Sequence, residues 1–365
     1  MGPGSDALED RFRGGMLGTF CGDALGAAFE GWRPHEAQEA LARFERGGAV
    51  PDWGRYTDDT EMCVALAQSL VDRGGEVDGD DIARSFLRHY DPSRGYGPGT
   101  VRTLNAISRG TPWREAALSS FGGGSYGNGS AMRAAPVGLL FHHDLEALRA
   151  AAVAQSSVTH THPLGTAGAA LQAAAVALAV RAREPSAWAP EEVLGELRAF
   201  VEGGPDQGAA EAYLERLEAV ELMLDEPDAP AEVARALGTA PTCPRSVPTA
   251  IYCALVRPRS PAEAITYAVS LGGDSDTIGA MTGAIAGALH GASALPDAWL
   301  GSLEGGRRGR AHVEALSDRL HATWQGMAHA RGGGHGSPVC NRYNVVTFII
   351  LDTVPRVARS REERA

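Results

Sequence analysis

Two short acidic segments of the chain carry residue types that can bind metal ions. YTDDTEM begins at Tyr56 and GGDSDT begins at Gly272, and each combines two carboxylates with a threonine hydroxyl. A single segment of this kind is typical of the first turn of a helix, where such side chains cap free backbone N–H groups. Because the chain contains two such segments, a second role is indicated, in which hard oxygen donors hold cations. The donors are Thr57, Asp58, Asp59, Asp274, Asp276 and Thr277.

The four carboxylates would form an unfavourable cluster if the two helix ends pointed at one centre. Like charges at that range raise each other's pKa or push the ends apart, whereas two divalent cations would cancel four negative charges. Oxygen-only ligands favour Mg²⁺ or Mn²⁺ over zinc. We therefore predict a two-metal site of the kind that activates water or orients substrate oxygens. Gly272 and Gly273 would permit the tight turn that leads into the second segment.

The elements that must position these residues have helical rather than alternating periodicity. We predict one compact all-α domain over residues 9–329, with short links and no β-hairpin. The predicted helices are 9–30, 58–73, 79–90, 99–108, 129–140, 144–157, 164–182, 190–202, 208–222, 229–237, 247–256, 261–270, 276–290 and 311–329. In two of them glycine recurs every fourth residue, from Gly14 to Gly26 and from Gly279 to Gly291. Such a smooth ridge lets another helix approach closely and would fix both helix ends in the middle of the domain.

Composition limits the class of protein. The chain has 365 residues, 44% of them hydrophobic, and a formal net charge of −12, which argues against binding to the phosphate backbone of nucleic acids. A small phosphorylated ligand remains compatible with that charge.

The longest apolar run, from Gly165, falls short of a membrane span and predicts a helix buried on most sides. Five scattered cysteines without a C-x-x-C pair indicate a reduced, cytoplasmic protein, which we expect to be a monomer.

The two ends of the chain differ from the rest. Residues 1–8 begin with MGPGS and are expected to be a cloning remnant or a disordered N-terminus. Residues 330–365 follow a Gly-rich break and include the β-branched apolar run from Val345 to Leu351. For this C-terminal tail the alternatives are an added strand, a contact with another chain and a poorly ordered segment.

Several motifs in a fixed order resemble those of the ADP-ribosylglycohydrolase family, which includes the dinitrogenase-reductase-activating glycohydrolase and the ADP-ribosyl-acceptor hydrolases. T-D-D-T, G-N-G-S-A-M-R and G-G-D-S-D-T in this order are the most specific; the other matching segments are RGGMLGTFCGDALGAAFEG, SRGYGPG, VTHTHPLG and SVPTAIYC. The resemblance covers roughly residues 9 to 300. It implies a single all-α domain with a central cleft, in which the six donors named above hold two Mg²⁺ ions, with Mn²⁺ as the alternative.

The resemblance also suggests which residues bind the substrate. GGGSYGNG leads into a predicted helix, and backbone amides at such a junction can bind an anion. By resemblance, this loop would hold the diphosphate and distal ribose of ADP-ribose through Gly124, Ser125, Gly127, Asn128 and Gly129. Tyr126 would stack on adenine, His160 would lie beside the phosphates, and the loop that ends at Gly97 would line the mouth of the cleft. The segment GTAPTCPR before SVPTAIYC departs from the family pattern, so no residue is assigned there.

Two acids are candidates for catalysis. Glu30 ends the predicted helix 9–30, where a carboxylate opposes the helix dipole. The segment resembles that of the serine-selective branch, whose glutamate at this point gates the substrate. Either Glu30 or Asp274 would then take the proton of the attacking water.

The resulting expectation is a Mg-dependent hydrolase that cleaves the glycosidic bond between ADP-ribose and a modified protein. Serine or other O-linked acceptors are favoured, with poly(ADP-ribose) and O-acetyl-ADP-ribose as further substrates. The alternatives are an arginine-linked ADP-ribosyl hydrolase, a non-catalytic ADP-ribose-binding or structural relative, and a two-metal phosphohydrolase. A non-catalytic relative would be marked by lost metal ligands, whereas all six positions are filled here.

Overall fold

The computed structural model describes residues 5–50, 52–119, 121–225 and 229–332. Within these ranges the chain forms seventeen α-helices and five short 3-10 turns, and its only β-type pairing is an isolated bridge between Gly127 and Thr242. The predicted all-α class is therefore confirmed. The helices are α1 (Ser5–Gly26), α2 (Pro34–Glu45), α3 (Asp58–Asp72), α4 (Gly79–His89), α5 (Pro98–Ser108), α6 (Trp113–Ser119), α7 (Ala135–Leu140), α8 (Leu145–Ser157), α9 (Pro163–Arg181), α10 (Pro190–Glu202), α11 (Gln207–Leu224), α12 (Pro230–Ala236), α13 (Cys243–Val256), α14 (Pro261–Ser270), α15 (Ser275–His290), α16 (Asp297–Ser302) and α17 (Arg310–Gly332).

Helices α1 and α15 form the centre of the fold because their glycine ridges face each other. A Cβ atom on Gly18 would lie 2.1 Å from the carbonyl oxygen of Gly283, and one on Gly22 would lie 2.0 Å from that of Gly279. No side chain fits at such distances, so the two backbones are in direct contact. At the end of this contact, Ser275 donates a hydrogen bond from Oγ to the carbonyl oxygen of Gly26 over 2.9 Å. The beginning of α15 is thereby fixed beside the end of α1.

Helix α9 is a long, strongly apolar element of the core. It has the length and composition of a membrane span, but 78% of its 18-residue apolar window is buried inside the fold. Its small side chains, mostly alanine, let α7, α8 and α13 pack closely around it. The prediction of a helix buried on most sides is therefore confirmed.

The structure differs from the predicted helices at several points. Helix α1 begins at Ser5 and buries Leu8, so residues 5–8 are helical rather than part of a disordered N-terminus. The predicted helix 129–140 is instead a 3-10 turn followed by α7, which starts around Pro136. Proline has no N–H for a helical hydrogen bond, so it favours a new helix start at this point.

Three helices had no clear sequence signal. Helices α6 and α16 are one to two turns long, and α2 buries only Ala37 and Leu41. So few apolar positions give no clear 3.6-residue period. Residues 1–4 and 333–365, which include most of the predicted C-terminal tail, lie outside the described residues.

Candidate metal and ligand site

The first turns of α3 and α15 meet in the centre of the fold. Thr277 donates a hydrogen bond from Oγ1 to Oδ2 of Asp59 over 3.4 Å, which joins residues 218 positions apart. Thr57 caps α3 through its side-chain oxygen, which accepts from the backbone N–H of Asp59. Side-chain capping is present at α3 but not at α15, where the N-terminal residue Asp274 makes no capping hydrogen bond, and the first turns of both helices face the same region.

A group of three carboxylates lies at the α15 end of this region. One oxygen atom each from Glu30, Asp274 and Asp276 can be chosen so that all three lie within 4.8 Å of one another. Asp276 is buried, Asp274 is partly buried and Glu30 is exposed. The group thus has a buried floor and an open side at Glu30. Asp58 and Asp59 are not part of this compact group, although the charges of Asp274 and Glu30 act on Asp58.

The backbone explains why Glu30 lies beside Asp274. Gly31 donates from N to the carbonyl oxygen of Gly273 over 2.7 Å, and Gly273 donates to that of Trp32 over 2.9 Å. Gly272 and Gly273 have φ values of +64° and +67°, a region that favours glycine, and a Cβ atom on Gly272 would lie 2.3 Å from the carbonyl oxygen of Trp32. The predicted glycine turn is present, and it holds the segment after Glu30 against the start of α15.

Asp23 is a central residue that the sequence analysis missed. It is fully buried in α1, and its carboxylate accepts hydrogen bonds from the backbone N–H and the hydroxyl of both Thr57 and Thr60, over 2.5 to 3.1 Å. Asp23 therefore orients the hydroxyl of a predicted metal ligand. The available signal was a single aspartate within the otherwise apolar and glycine-rich stretch GTFCGDALGAAF.

The four aspartates of the site, which are Asp58, Asp59, Asp274 and Asp276, have raised pKa values. Burial is the main cause at every position, and neighbouring carboxylates add to it. The pKa rises to about 8 for Asp58 and to about 6 for Asp274, where a hydrogen bond from Asn128 partly offsets burial. For Asp59 and Asp276 it lies well above its usual range because each is buried near other carboxylates. The protein's own residues therefore do not offset the negative charge that these carboxylates would carry when ionised.

The residues present fit a bound cation. The predicted donors are all oxygen atoms, and Oδ1 of Asp59 is buried without a hydrogen-bond partner. A buried acceptor of this kind costs free energy unless some group pairs with it. A divalent cation would pair with it and would also lower the pKa of the surrounding carboxylates. The site is therefore an acidic cluster able to bind a metal ion. This agrees with the predicted metal site, whereas the identity and the number of the ions stay predictions.

The glycine-rich loop is connected directly to this cluster. Asn128 donates from Nδ2 to Oδ2 of Asp274 over 2.5 Å and to Oγ of Ser246 over 3.2 Å. The loop is held on its other side by backbone hydrogen bonds from His162 to Ser125 and from Cys243 to Tyr126. Asn128 therefore links the predicted ligand-binding loop to the predicted metal ligands.

His160 lies directly behind this loop. A Cβ atom on Gly129 would lie 2.9 Å from Cε1 of His160, so the glycine is needed for the loop to pass over the ring. His160 is buried, and its Nδ1 lies 2.7 Å from the hydroxyl of Thr159. Burial, together with the nearby charge of Arg133, lowers the pKa of His160 to about 3, so the ring is neutral at neutral pH.

Tyr126 and Gly97 lie at the surface. The side chain of Tyr126 is 46% exposed, and its ring packs against His162 with 5.1 Å between centroids. Gly97 is exposed at the start of α5, and the loop before it is fixed because Tyr96 donates from Oη to Oε2 of Glu61 over 2.7 Å. Glu61 is a second buried acid of α3 that the sequence analysis did not assign to the site.

Comparison with known proteins agrees with this architecture. The model of the ADP-ribosylglycohydrolase family matches residues 4–330. ADP-ribosylhydrolase ARH3 of Mus musculus is 35% identical over 350 residues, which are 86% of this chain and 92% of the relative. ARH3 of Homo sapiens is 34% identical, with 86% of this chain and 94% of the relative covered. A solved structure named ADP-ribosylglycohydrolase-related protein complex superposes with a TM-score of 0.64 at 27% identity, covering 87% of this chain and 99% of that one.

These findings confirm the resemblance on which the sequence analysis relied. The ARH3 relatives support the branch that the segment around Glu30 indicated. The family and the names of these relatives indicate an ADP-ribosylglycohydrolase enzyme, as predicted. From its motifs, its fold and its match over nearly all the described residues, the chain belongs to the ADP-ribosylglycohydrolase family.

Proposed function

We propose that the protein is a Mg-dependent hydrolase that removes ADP-ribose from modified proteins, with serine and other O-linked acceptors preferred. The observation that carries this proposal is the convergence of α3 and α15, where Thr277 contacts Asp59 beside the carboxylates of Asp274 and Asp276. The relatives named ADP-ribosylhydrolase ARH3 support the substrate class.

Each part of the site has a proposed role. Two Mg²⁺ ions, with Mn²⁺ as the alternative, would be held by Thr57, Asp58, Asp59, Asp274, Asp276 and Thr277. When bound, they would supply positive charge for the ribose hydroxyls and for a water molecule. The loop from Gly124 to Gly129 would bind the diphosphate through its backbone N–H groups, and the exposed ring of Tyr126 would stack on adenine.

The bond that breaks joins the anomeric carbon of the ribose to the acceptor oxygen. Water attacks this carbon, the bonding electrons go to the acceptor oxygen, and that oxygen takes up a proton as the acceptor leaves. Positive charge develops on the ribose as the bond lengthens, as in other glycoside hydrolyses. Glu30 is proposed to take the proton of the water, because its carboxylate lies on the open side of the cluster while Oδ2 of Asp274 is held by Asn128.

The test is an assay on two peptides, one carrying ADP-ribose on serine and one on arginine, each with Mg²⁺ and with EDTA. We expect Mg-dependent release of free ADP-ribose, faster from the serine peptide, and none from the variant Asp276→Asn. Faster release from the arginine peptide would support the alternative acceptor. No release from either peptide with Mg²⁺ would contradict the proposal, and release of AMP or inorganic phosphate would favour a phosphohydrolase.

A further inference from the structure

Arg133, the last residue of the GNGSAMR motif, has a fully buried guanidinium group. Its hydrogen bonds go to neutral groups: from Nε to Oε1 of Gln155 over 2.7 Å and from Nη2 to the carbonyl oxygen of Gln155 over 2.8 Å. Its Nη1 lies 3.8 Å from the sulfur of Met62. Among the described residues, no carboxylate forms an ion pair with it. A buried charge without a counter-ion is costly, so a compensating role is expected.

The surroundings explain how this charge is tolerated. The carbonyl group of Gln155 belongs to the last turn of α8, where the helix dipole favours a positive charge. The guanidinium carbon also lies 4.5 Å from the centre of the Phe86 ring. Burial lowers the pKa of Arg133 to about 9, which leaves it charged at neutral pH. These contacts stabilise the charge but do not explain why it lies at this position.

The position is explained by what Gln155 contacts next. The same side chain donates from Nε2 to the carbonyl oxygen of Ser130 over 2.9 Å. Ser130 ends the 3-10 turn that begins at Asn128, the residue bonded to Asp274. Arg133 therefore holds, through Gln155, the turn that presents Asn128 to the acidic cluster.

The end of α8 leads in turn to His160. Ser156, next to Gln155, accepts from the backbone N–H of His160 over 2.7 Å and donates from its hydroxyl to the carbonyl oxygen of His160 over 3.0 Å. A shift of this helix end would move His160 against the glycine-rich loop. Arg133 is thus bonded to Gln155, which contacts the turn at Asn128 directly and is joined to the turn at His160 through its neighbour Ser156.

We infer that Arg133 is a positioning residue of the ligand loop. Through Gln155 it holds Asn128 and His160 at the separation that the diphosphate of ADP-ribose requires, without touching the ligand itself. The inference rests on the proposed function, because it takes the loop to be the ADP-ribose site. Its positive charge also acts on His160, which stays neutral behind the loop.

The test is the dissociation constant of ADP-ribose, measured by calorimetry at saturating Mg²⁺. We expect Arg133→Met to weaken binding about ten-fold, because sub-ångström errors in a polar site are costly. Gln155→Met should have a similar effect, and the double variant should be little worse than either single variant, because the two residues act as one unit. Arg133→Lys should bind with intermediate affinity, since lysine keeps the charge but not both hydrogen bonds.

Arg149→Met is the matched control. Arg149 lies on α8, as Gln155 does; like Arg133 it donates to a backbone carbonyl group, that of Phe200, and stacks on an aromatic ring, but it contacts neither turn of the loop. The variant Arg149→Met should have a lower melting temperature, while its affinity for ADP-ribose should stay within about two-fold of the wild type. If Arg133 had a purely structural role, Arg133→Met would behave in the same way, with a lower melting temperature and almost unchanged ADP-ribose binding.

The outcomes separate the inference from the proposed function. If the wild type binds ADP-ribose and folded Arg133→Met binds it equally well, the inference is overturned and the proposed function stands. If Arg133→Met does not fold, Gln155→Met decides, and unchanged affinity in that variant overturns the inference. A wild type that does not bind ADP-ribose with Mg²⁺ overturns both.

Discussion

Asn128 and Asp274 are joined by a hydrogen bond of 2.5 Å from the amide Nδ2 to the carboxylate Oδ2. The bond connects the glycine-rich loop, which is proposed to bind the diphosphate, to a carboxylate that is proposed to bind metal. In the proposed function, ligand binding and metal binding would therefore share this contact. This bond, the buried aspartates of the site and the contact of α1 with α15 lead to four measurable predictions.

Asn128→Ala should impair both metal binding and turnover. The change removes the donor that orients Asp274, and loss of a residue that orients a metal ligand typically costs about 10–100-fold in metal affinity or activity. The measurements are Mg²⁺ titration calorimetry and kcat for ADP-ribose release. Ser246→Ala is the control, since Ser246 bonds the same amide but is not bonded to Asp274. Equal, small effects of the two variants would show that the bond to Asp274 does not matter.

Asp23→Asn should weaken Mg²⁺ binding by about 10–100-fold, because Asp23 orients Thr57 and adds negative charge near the ions. An asparagine can accept at only one of its two terminal atoms, so part of the hydrogen bonding to Thr57 and Thr60 is lost. Asp78→Asn is the control: Asp78 also accepts from backbone N–H groups at a helix start, where asparagine is an equally good cap. Mg²⁺ affinity that is equal in both variants would contradict this role of Asp23.

The stabilisation by Mg²⁺ should increase with pH. Folding raises the pKa of Asp23 and Asp274 to about 6 and that of Asp58 to about 8, above their ordinary value of 3.8. A raised folded-state pKa stabilises the fold at low pH, and this contribution is lost as the pH rises through the folded-state values. In EDTA the melting temperature should therefore fall between pH 6 and pH 8, whereas Mg²⁺ should reduce the fall.

The readout is the difference in melting temperature between Mg²⁺ and EDTA at each pH. This difference removes the opposite effect of His89, His142 and His160, whose lowered pKa values make the fold less stable on acidification in both conditions. A difference that is constant from pH 6 to pH 8 would mean that the buried carboxylates are not coupled to the metal.

Gly18→Ala should strongly destabilise or unfold the protein, because the added methyl group would lie 2.1 Å from the carbonyl oxygen of Gly283 and separate α1 from α15. Gly195→Ala in α10 is the matched control, since nothing lies within 4 Å of its added methyl group. It should stabilise the protein by ~0.5–1 kcal/mol through helix propensity. Urea denaturation measures both. Extra atoms in a tightly packed core typically cost about 1–3 kcal/mol of stability. A decrease of less than about 1 kcal/mol in the free energy of unfolding of Gly18→Ala would therefore contradict the direct backbone contact.

The sequence predicted the parts of this fold that repeat a pattern. The acidic pairs at Asp58 and Asp274 and the glycine ridges of α1 and α15 are periodic or repeated, so their spacing indicated the helices and the close approach of another helix to each ridge. That the two ridges face each other is shown only by the structure. The family resemblance added the ligand loop and Glu30, whose roles stay predictions. Helix α2 was missed because it buries only two apolar side chains.

Residues that act through tertiary contacts could not be predicted in this way. Asp23 is a single aspartate within an apolar stretch, Glu61 follows the predicted metal ligands of α3 as one more acid of its first turn, and Arg133 ends a motif whose earlier residues drew the assignment, so nothing in the sequence indicated a separate role for any of them. Their roles depend on partners 22 to 37 positions away, such as Thr60 for Asp23 and Gln155 for Arg133. Only the packing of α3, α8 and the loop against one another shows these relationships.

Diffraction from crystals grown with Mn²⁺ tests the central claim most directly, because this ion gives an anomalous signal at its own position. The account predicts two anomalous peaks between the first turns of α3 and α15, each within bonding distance of oxygen atoms from Asp58, Asp59, Asp274 or Asp276. A crystal with no peak at that place, while Asp59 and Thr277 keep the contact described above, would contradict the assignment of these helix ends as a metal-binding catalytic centre.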